Sequence, residues 1–337
     1  MRLNEKLIDL MNKISVITKN RGETFRSRAY EKAGETIIGI KTDITDVSQL
    51  KKMKGIGPSI FEKMETYILT DTLDILEEDK NDPTKLFGDV YGIGPKKAKE
   101  LVDLGIKDIP MLREQQNSIL NNVQKIGLKY YEDILERIPR SEIDNYLFIF
   151  NEAFSEIVNE KTKKTKEIKE TKETKETKET PKNTSKFEIV GSYRRGAENS
   201  GDIDCIFTSS DKTVFKKFID ALVEKKIIIE ILSRGPMKCL VITKLPGVKC
   251  ARRVDFLFAA EDEYAFSLLY FTGSKSFNTE MRGYCLKQGY TLNEHGLYKM
   301  TNNVKGEKVN EVIFREEKDI FDFLKYPYKS PVERNIG

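Results

Sequence analysis

Three aspartates in the second half of the chain have the spacing of a metal site. Asp202 and Asp204 are separated by one residue at the start of an apolar run, and Asp255 lies inside a second β-rich run. Because alternate side chains of a strand share a face, Asp202 and Asp204 are predicted to point the same way. If the second run pairs beside the first, three carboxylates converge, and such oxygen ligands suit Mg²⁺. Two such ions about 3.5–4 Å apart can stabilise the attacking and leaving oxygens of a phosphoryl transfer.

A candidate phosphate cradle precedes these aspartates by about ten residues. Gly191 and Ser192 offer backbone N–H groups and a hydroxyl to a triphosphate, and Arg194 and Arg195 supply positive charge. An isolated Asp-x-Asp pair is more often a solvated strand end than a site. A cradle and a metal pair within one short segment instead predict the chemistry of nucleotidyl transfer.

Two similar turns in the first half of the chain predict a grip on a DNA backbone. Residues 53–58 and 90–95 each end in Gly-Ile-Gly-Pro and lead into a helical segment. Such a turn presents N–H groups at a positive helix start, and a glycine allows a phosphate to approach closely. A single copy is more often a plain helix connection, whereas two copies predict tandem helix-hairpin-helix motifs. The glycines expected to contact DNA are Gly55, Gly57, Gly92 and Gly94.

Charge, histidine and cysteine content limit the kinds of site and the kinds of protein that this chain can represent. The chain has 337 residues and a net charge of +4, and residues 1–60 hold 12 Lys/Arg against 7 Asp/Glu, a local excess that suits a polyanion. The single histidine, His295, excludes His-based triads and His-rich metal sites. The four cysteines lack a Cys-x-x-Cys spacing, as expected of reduced thiols in an intracellular protein. We recognise no signal peptide, and no apolar run approaches the roughly 20 residues of a membrane-spanning helix.

The order of the predicted elements indicates an α+β fold. Amphipathic helices, the first over residues 3–18, continue to about residue 156. Residues 161–185 repeat Thr-Lys-Glu without an apolar face and are predicted to form a charged flexible linker or insert. The tail from about residue 261 is mixed, with helices near 262–270 and 277–288 and then a strand or two. Between them, strands are predicted at 187–190, 203–207, 227–232, 239–243 and 253–258, with a helix near 213–225.

Taken together, these motifs resemble those of the family-X DNA polymerases, the family typified by eukaryotic polymerases beta and lambda. The carboxylate pair alone would also fit poly(A) or CCA-adding enzymes, whereas the tandem hairpins and the Tyr-Phe-Thr-Gly-Ser motif select this family. The motifs that carry the resemblance are Phe25-Arg26-Ser27-Arg28-Ala29-Tyr30, the two hairpins, Ile126-Gly127-Leu128-Lys129-Tyr130-Tyr131, Arg137-Ile138-Pro139-Arg140, Gly191-Ser192-Tyr193-Arg194-Arg195-Gly196, Gly201-Asp202-Ile203-Asp204, Arg252-Arg253-Val254-Asp255 and Tyr270-Phe271-Thr272-Gly273-Ser274.

The resemblance implies five regions along the chain. Two helical regions come first, a nucleotidyltransferase palm sheet follows, and a small mixed subdomain ends the chain. The regions are 1–85, a helical lyase-like domain with the first helix-hairpin-helix; 86–158, a helical DNA-binding subdomain with the second; 159–185, the charged linker or insert; 186–260, the palm with the carboxylates; and 261–337, the subdomain that selects the nucleotide.

The resemblance also assigns roles within the palm. Asp202, Asp204 and Asp255 are implied to hold two Mg²⁺ ions, for which Mn²⁺ can substitute, and Asp255 to accept the proton of the primer 3′-hydroxyl. Arg253 would position the primer end, and Arg282 would approach the template strand in the minor groove. The residues implied to bind the incoming nucleotide are Ser192, Arg195, Gly201, Tyr270, Phe271, Gly273, Asn278 and Arg137. Each hairpin is further expected to bind a monovalent cation.

Lys63 occupies the position of the Schiff-base lysine in the family's deoxyribose-phosphate lyase domain. An amine there can attack the aldehyde of an open abasic sugar. Arg26, Tyr30 and Lys51 match supporting positions that contact DNA. Two departures weaken the expected phosphate grip, because Ser59 stands where the family often has a basic residue and residues 72–74 (Thr-Leu-Asp) replace a basic cluster.

The implied function is that of a monomeric, template-directed DNA polymerase that fills short gaps in base-excision repair, with lyase activity. Its substrates would be gapped or nicked DNA and a deoxynucleoside triphosphate (dNTP), a DNA ligase could be a repair partner, and no membrane is involved. The expected location is the nucleus, or a viral factory or virion for a viral source. Two alternatives stay open: an end-joining or terminal-transferase polymerase, and a catalytically silent DNA-binding scaffold.

Three features bear on these alternatives. The loop at residues 244–249 is short, and Tyr270-Phe271 stands where template-independent members carry Gly-Trp. Both features argue against the first alternative, and the three carboxylates argue against the second. Residues 324–334 resemble polymerase lambda more than polymerase beta.

Overall fold

A computed structural model of the chain describes residues 3–40, 42–80, 82–170, 185–301 and 304–335. The chain divides into two compact units, Met1–Leu128 and Lys129–Gly337. The first unit is helical, and the second combines helices with sheets, so the predicted α+β class is confirmed. Within the described ranges, no helix is both long enough and apolar enough to cross a membrane.

The described part of the first unit is helical, and residues 3–76 share one apolar core. The helix predicted over residues 3–18 is α1 (Asn4–Asn20), and it buries Leu7, Leu10 and Ile14 against α2 (Thr24–Ile38). The helices are α1 Asn4–Asn20, α2 Thr24–Ile38, a 3₁₀ helix Val47–Leu50, α3 Pro58–Thr70, α4 Asp74–Lys80, α5 Pro83–Gly88, α6 Pro95–Asp103, α7 Ile109–Ile119 and α8 Asn122–Lys129.

Both predicted hairpins are present, and their glycines have the conformations that the turns require. Gly57 and Gly94 are the N-cap residues of α3 and α6, each followed by a proline in the first helical turn. Gly55 and Gly92 have φ of +99° and +86°, in the left-handed region that favours glycine. A Cβ at Gly55 would also lie 2.6 Å from the hydroxyl of Thr36, so glycine is needed there on both grounds.

The second unit begins with helices and continues into sheets. Its helices are α9 Tyr131–Leu135, α10 Arg140–Glu170, α11 Gly191–Arg194, α12 Thr213–Glu224, α13 Tyr264–Thr272, α14 Lys275–Lys287, α15 Glu317–Leu324 and a 3₁₀ helix Pro331–Arg334. Its strands are β1 Ile138–Pro139, β2 Lys186–Ile189, β3 Asn199–Ser200, β4 Ile203–Thr208, β5 Ile228–Arg234, β6 Lys238–Thr243, β7 Arg252–Phe258, β8 Tyr290–Asn293, β9 Gly296–Thr301 and β10 Val304–Lys308.

A five-stranded sheet in the order β2-β4-β7-β6-β5 forms the centre of this unit. Only the β4–β7 pair is parallel, whereas the other neighbours are antiparallel. The sheet packs on α10 and α12 through phenylalanines, among them Phe207 and Phe218 with ring centroids 4.6 Å apart, and Phe150 and Phe256 at 5.3 Å. This aromatic core fixes the two strands that carry the predicted carboxylates.

A smaller sheet in the order β10-β9-β8 packs with α13, α14 and α15 around a second core. The helices predicted near 262–270 and 277–288 correspond to α13 and α14. The sequence reasoning missed α15, which buries Ile320, Phe321 and Leu324. Its spacing of apolar residues was the signal that could have found it.

The predicted linker needs one correction. The helix α10 ends at Glu170 and therefore includes the first residues of the segment predicted to be flexible. Lys and Glu have high helix propensities, so a stretch rich in them can extend a helix that is already nucleated. Residues 171–184 lie outside the described residues. The predicted boundary at 85/86 falls inside the first compact unit, and the five-region division stays a prediction.

Candidate active site

Asp204 and Asp255 lie side by side on the two parallel strands of the central sheet. The Cα atom of Asp204 on β4 is the register partner of the Cα atom of Asp255 on β7. Asp202 immediately precedes β4, and its carboxylate forms an ion pair with Arg253. The Arg253 Nε atom is also 3.7 Å from Asp255 Oδ1. The two strands that carry Asp204 and Asp255 therefore pair, as convergence of the carboxylates requires. The carboxylate of Asp202 is bound by Arg253.

The surroundings of Asp204 and Asp255 disfavour ionisation of both carboxyl groups at once. Burial, followed by the charge of Asp255, raises the pKa of Asp204 to about 6. Burial also raises the pKa of Asp255, although the positive charges of Arg253 and Lys238 oppose this shift. A divalent cation held by these carboxylates would offset the repulsion that causes part of the Asp204 shift.

The donor set fits a divalent metal ion only in part. The Asp255 Oδ1 atom is buried and accepts no hydrogen bond from the described residues, so it is an oxygen available to a cation. Asp204 and Asp255 supply further oxygens of the hard type that Mg²⁺ prefers. Over the described part of the chain, no three acidic, histidine or cysteine side chains are gathered into a metal cage. Asp202 would supply the third carboxylate ligand if its ion pair with Arg253 were replaced by a contact with the metal ion.

A cleft of about 590 Å³ opens beside the carboxylates. All eight residues predicted to bind the nucleotide line it, together with Asp202 and Asp204. The lining residues are Arg137, Gly191, Ser192, Arg195, Gly201, Asp202, Asp204, Tyr270, Phe271, Gly273, Ser274, Lys275, Asn278 and Thr279. The sequence reasoning missed Ser274, Lys275 and Thr279. For two of them the signal was helical spacing, because Lys275 lies three residues before Asn278 and four before Thr279 on α14.

Gly191 and Ser192 form the wall of the cleft next to Asp204. Gly191 has a φ of +62°, and a Cβ there would lie 3.1 Å from Asp204 Oδ2, so only glycine leaves the carboxylate room. The Ser192 hydroxyl donates a hydrogen bond to the Ser200 hydroxyl over 2.7 Å. Ser200 is buried on β3, so its contact orients the serine predicted to bind phosphate.

Two arginines of the cleft are each fixed by neighbouring groups. Arg137 donates from Nε to Asn199 Oδ1 at 2.8 Å and from Nη2 to the Asn199 carbonyl at 2.9 Å. Arg195 donates from Nε to Asn335 Oδ1 at 2.8 Å and from Nη1 to the Thr272 carbonyl at 2.6 Å. Each guanidinium therefore has a set orientation before any ligand binds, which favours recognition of phosphate.

Arg194 does not share the role of Arg195. Its guanidinium is mostly buried and binds Glu188 at 3.1 Å, the Thr272 hydroxyl at 2.8 Å and Glu317 at 2.8 Å. The expectation that Arg194 supplies charge to the phosphate cradle is therefore wrong for this structure. Adjacent helical residues point in different directions, and one of the two carboxylates that bind Arg194, Glu317, is on α15, an element that the sequence reasoning missed.

The opposite wall of the cleft is aromatic. Tyr270 and Phe271 are half-buried, and their rings meet edge to face with centroids 5.1 Å apart. The Asn278 amide donates to the Tyr270 carbonyl at 2.8 Å, which connects α14 to the end of α13. Arg282 is exposed one turn further along α14. Tyr270 and Phe271 are thus available to a ligand as well as to the core.

The residues predicted to form the lyase site lie in the first unit. Lys63 is half-buried on α3, and the Lys51 ammonium is 5.7 Å from the centroid of the Phe61 ring on the same helix. Arg26 is exposed and pairs with Glu23 at 2.6 Å. Tyr30 is only 3% exposed and belongs to the core. Its burial indicates a packing role for Tyr30 rather than direct contact with DNA.

Four family models match the chain, and together they extend over most of its length. The helix-hairpin-helix domain model matches residues 2–73, and the model for the fingers domain of DNA polymerase lambda matches 85–135. The DNA polymerase beta palm model matches 137–261, and the DNA polymerase beta thumb model matches 267–335. The carboxylates and the cleft lie within the last two matches.

Curated relatives match the chain almost from end to end. DNA polymerase lambda from Arabidopsis thaliana is 30% identical over 356 residues, which is 99% of this chain and 62% of the relative. DNA polymerase lambda from Rattus norvegicus is 27% identical over 97% of this chain and 56% of the relative. DNA nucleotidylexotransferase from Xenopus laevis is 24% identical over 99% of this chain and 68% of the relative. The chain thus spans about three-fifths of the length of the two polymerase lambda relatives.

The central sheet, its paired carboxylates and the arginine-lined cleft have the architecture of a polymerase palm. The chain belongs to the family-X DNA polymerases, as its motifs predict. Membership of this family implies a requirement for a divalent metal ion.

Proposed function

We propose that this protein is a template-directed DNA polymerase that extends a primer and fills short gaps during base-excision repair. The observation that carries the proposal is the direct register of Asp204 and Asp255 beside a cleft that holds Arg137 and Arg195. Paired carboxylates with preoriented arginines provide what nucleotidyl transfer needs, which is a metal-binding edge and donors for phosphate oxygens. Family membership supports the same conclusion.

Each wall of the cleft has its own task in this proposal. Ser192, Arg137 and Arg195 bind oxygens of the triphosphate, since hydroxyl and guanidinium groups donate to phosphate. Tyr270 and Phe271, with Gly273, contact the sugar and exclude a ribose 2′-hydroxyl. Asn278 approaches the nascent base pair in the minor groove, and the exposed Arg282 approaches the template strand.

Catalysis would depend on the carboxylates and on Arg253. Asp202, Asp204 and Asp255 would hold Mg²⁺, which Mn²⁺ can replace, and bound divalent ions would stabilise the charge that develops on the transferred phosphate. Asp255 is the proposed acceptor of the primer 3′-hydroxyl proton, because its buried Oδ1 accepts no hydrogen bond from the described residues. Arg253 would position the primer end beside Asp255.

Template dependence separates this function from that of a terminal transferase. One relative is a DNA nucleotidylexotransferase, so the alternative has a specific basis. In this chain, however, only residues 244–251 connect β6 to β7, and Tyr270 and Phe271 line the cleft. Among the polymerases that this chain resembles, a short loop at this position and this aromatic pair accompany templated synthesis.

A second activity is proposed for the first unit, which is removal of a 5′-deoxyribose phosphate through Lys63. Lys63 lies on the helix that begins at the first hairpin, near N–H groups suited to a phosphate. Gly55, Gly57, Gly92 and Gly94 would bring the two hairpins to the DNA backbone, each with a bound monovalent cation. Nuclear or viral-factory location and a DNA ligase as partner stay predictions.

The test is extension of a primer on DNA with a single-nucleotide gap. With Mg²⁺, we expect incorporation of the nucleotide complementary to the template base, and much less incorporation of the other three. EDTA should stop the reaction. Addition of all four nucleotides at equal rates, or addition to single-stranded DNA alone, would favour the terminal-transferase function instead.

A further inference from the structure

Two residues that precede β7 and the first residue of β7 form hydrogen bonds to the segment that leads into Arg137. Three consecutive residues take part. The Cys250 thiol donates to Glu136 Oε2 at 2.7 Å, the Ala251 N–H donates to Asp133 Oδ2 at 2.9 Å, and Arg252 Nη1 donates to the Glu136 carbonyl at 3.1 Å. Because Glu136 immediately precedes Arg137, these contacts fix the backbone on the N-terminal side of that arginine.

Arg252 also fixes the backbone on the C-terminal side of Arg137. It is only 4% exposed and forms a bidentate ion pair with Glu142, with Nε 2.7 Å from Oε1 and Nη2 2.9 Å from Oε2. Glu142 lies in the first turn of α10, directly after β1. A bidentate pair between arginine and carboxylate sets a defined geometry. One buried guanidinium therefore holds the residues before and after Arg137.

The contacts continue from Arg137 to Ser192. The strand β1, which follows Arg137, pairs with β3, where Ile138 is the register partner of Ser200. Ser200 accepts the hydrogen bond of the Ser192 hydroxyl. Arg137 and Ser192, both proposed to bind the triphosphate, thus contact the same two-stranded sheet of β1 and β3 or adjoin it. Arg252 connects this sheet to β7 through Glu136 and Glu142.

We propose that Arg252 and Glu142 are positioning residues for nucleotide binding, whose ion pair orients Arg137 and, through β1 and β3, Ser192. The inference rests on the proposed function. Neither Arg252 nor Glu142 lines the cleft, so both act through residues that do. Loss of the pair should therefore weaken binding of the nucleotide while leaving binding of DNA unchanged.

A double-mutant cycle between Glu142 and Arg137 tests this coupling. The measurement is the Kd of an α,β-imido dNTP, which cannot react, for the full-length protein bound to gapped DNA in Mg²⁺. We expect Glu142→Gln to raise this Kd roughly three- to tenfold, and Arg137→Ala to raise it by about tenfold or more. The double variant should bind the analogue like Arg137→Ala, within about twofold, because the ion pair acts chiefly through Arg137 and reaches Ser192 only indirectly, through β1 and β3.

Asp220→Asn is the matched control. It removes the partner of Arg234, another arginine–carboxylate pair of the same unit, with 2.5 Å between Arg234 Nη2 and Asp220 Oδ1. Both side chains are substantially exposed, and neither lines the cleft. We expect Asp220→Asn to change the Kd of the analogue by less than about twofold.

Two results would overturn the inference. One is a folded Glu142→Gln protein with an unchanged Kd, and the other is additive effects in the double variant. If Glu142→Gln does not fold, the experiment uses the Arg252→Lys variant instead, because lysine keeps the charge but loses the bidentate geometry. The same non-additivity with Arg137→Ala is expected. Failure of the wild-type complex to bind the analogue would instead overturn the proposed function, so the two failures are distinguishable.

Discussion

Asp204 and Asp255 are register partners on β4 and β7, the only parallel pair in the central sheet. This arrangement brings two carboxylates together in a half-buried position, where burial raises the pKa of both and the charge of Asp255 further raises the pKa of Asp204. A site of this kind is less stable when empty at neutral pH than when a cation is bound. The pair therefore connects the stability of the protein to its metal-binding function.

Asp204→Asn is expected to stabilise the metal-free protein at pH 8. The pKa of Asp204 is raised from 3.8 to about 6, so the folded wild-type protein loses stability as pH rises through about 6, whereas the variant does not. The difference at pH 8 should be about 3 kcal/mol, or several degrees in Tm. Calorimetry in EDTA at pH 5 and pH 8 measures it, and a variant that melts below the wild type at pH 8 would contradict the prediction.

The sequence predicted this pair of strands well because its signals are local. Alternation and apolar runs located both strands to within two residues of their observed bounds, whereas most of the cleft residues were named by the family resemblance. The partners of Asp202 and Arg194 were not predictable in this way. Arg253 and Glu317 reach these residues from 51 and 123 positions away in the chain, and spacing within a segment carries no information about such contacts.

Glu317→Gln should destabilise the second unit strongly. Glu317 is 5% exposed and accepts from Arg194 at 2.8 Å and from the fully buried Arg334 at 2.5 Å, so the variant removes a carboxylate that two arginines share, and of the two only Arg194 keeps another carboxylate contact among the described residues, with Glu188. Breaking a buried ion pair from one side typically costs about 3–5 kcal/mol. Thermal unfolding measures the loss. The control on the same helix is Asp322→Asn, which breaks the exposed Lys318 pair and should cost under about 1 kcal/mol. Similar losses of stability in Glu317→Gln and Asp322→Asn would contradict the stabilising role of the buried ion pairs of Glu317.

Lys63→Ala should abolish the adduct that borohydride traps between the protein and a 5′-deoxyribose phosphate. The imine requires a primary amine at the sugar, and Lys63 is the proposed nucleophile on α3. Primer extension should persist, because the carboxylates belong to the other unit. Lys96→Ala, in the helix after the second hairpin, is the control and should keep the adduct. Undiminished trapping by Lys63→Ala would show that another amine is the nucleophile.

A 5′-phosphate at the gap should increase the extension rate at low salt. Residues 1–60 carry a basic excess, and Arg26 and Lys51 are exposed there. Each phosphate contact adds about 0.9 to the salt slope on duplex DNA, so the preference should shrink as salt rises and shrink further in Arg26→Ala or Lys51→Ala. Because Ser59 and Asp74 replace basic residues, we expect a modest preference. Equal rates on phosphorylated and unphosphorylated gaps at low salt would contradict this role of the first unit.

The most direct test of the central claim compares the wild-type protein with Asp204→Ala on a single-nucleotide gap carrying a 5′-phosphate, with Mg²⁺ and each dNTP in turn. Wild-type protein should add the complementary nucleotide. Asp204→Ala should bind the gapped DNA with similar affinity and add none, because loss of this oxygen ligand removes stabilisation worth several kcal/mol from the transition state. Extension by Asp204→Ala at a rate near that of the wild type would contradict the assignment of the catalytic site.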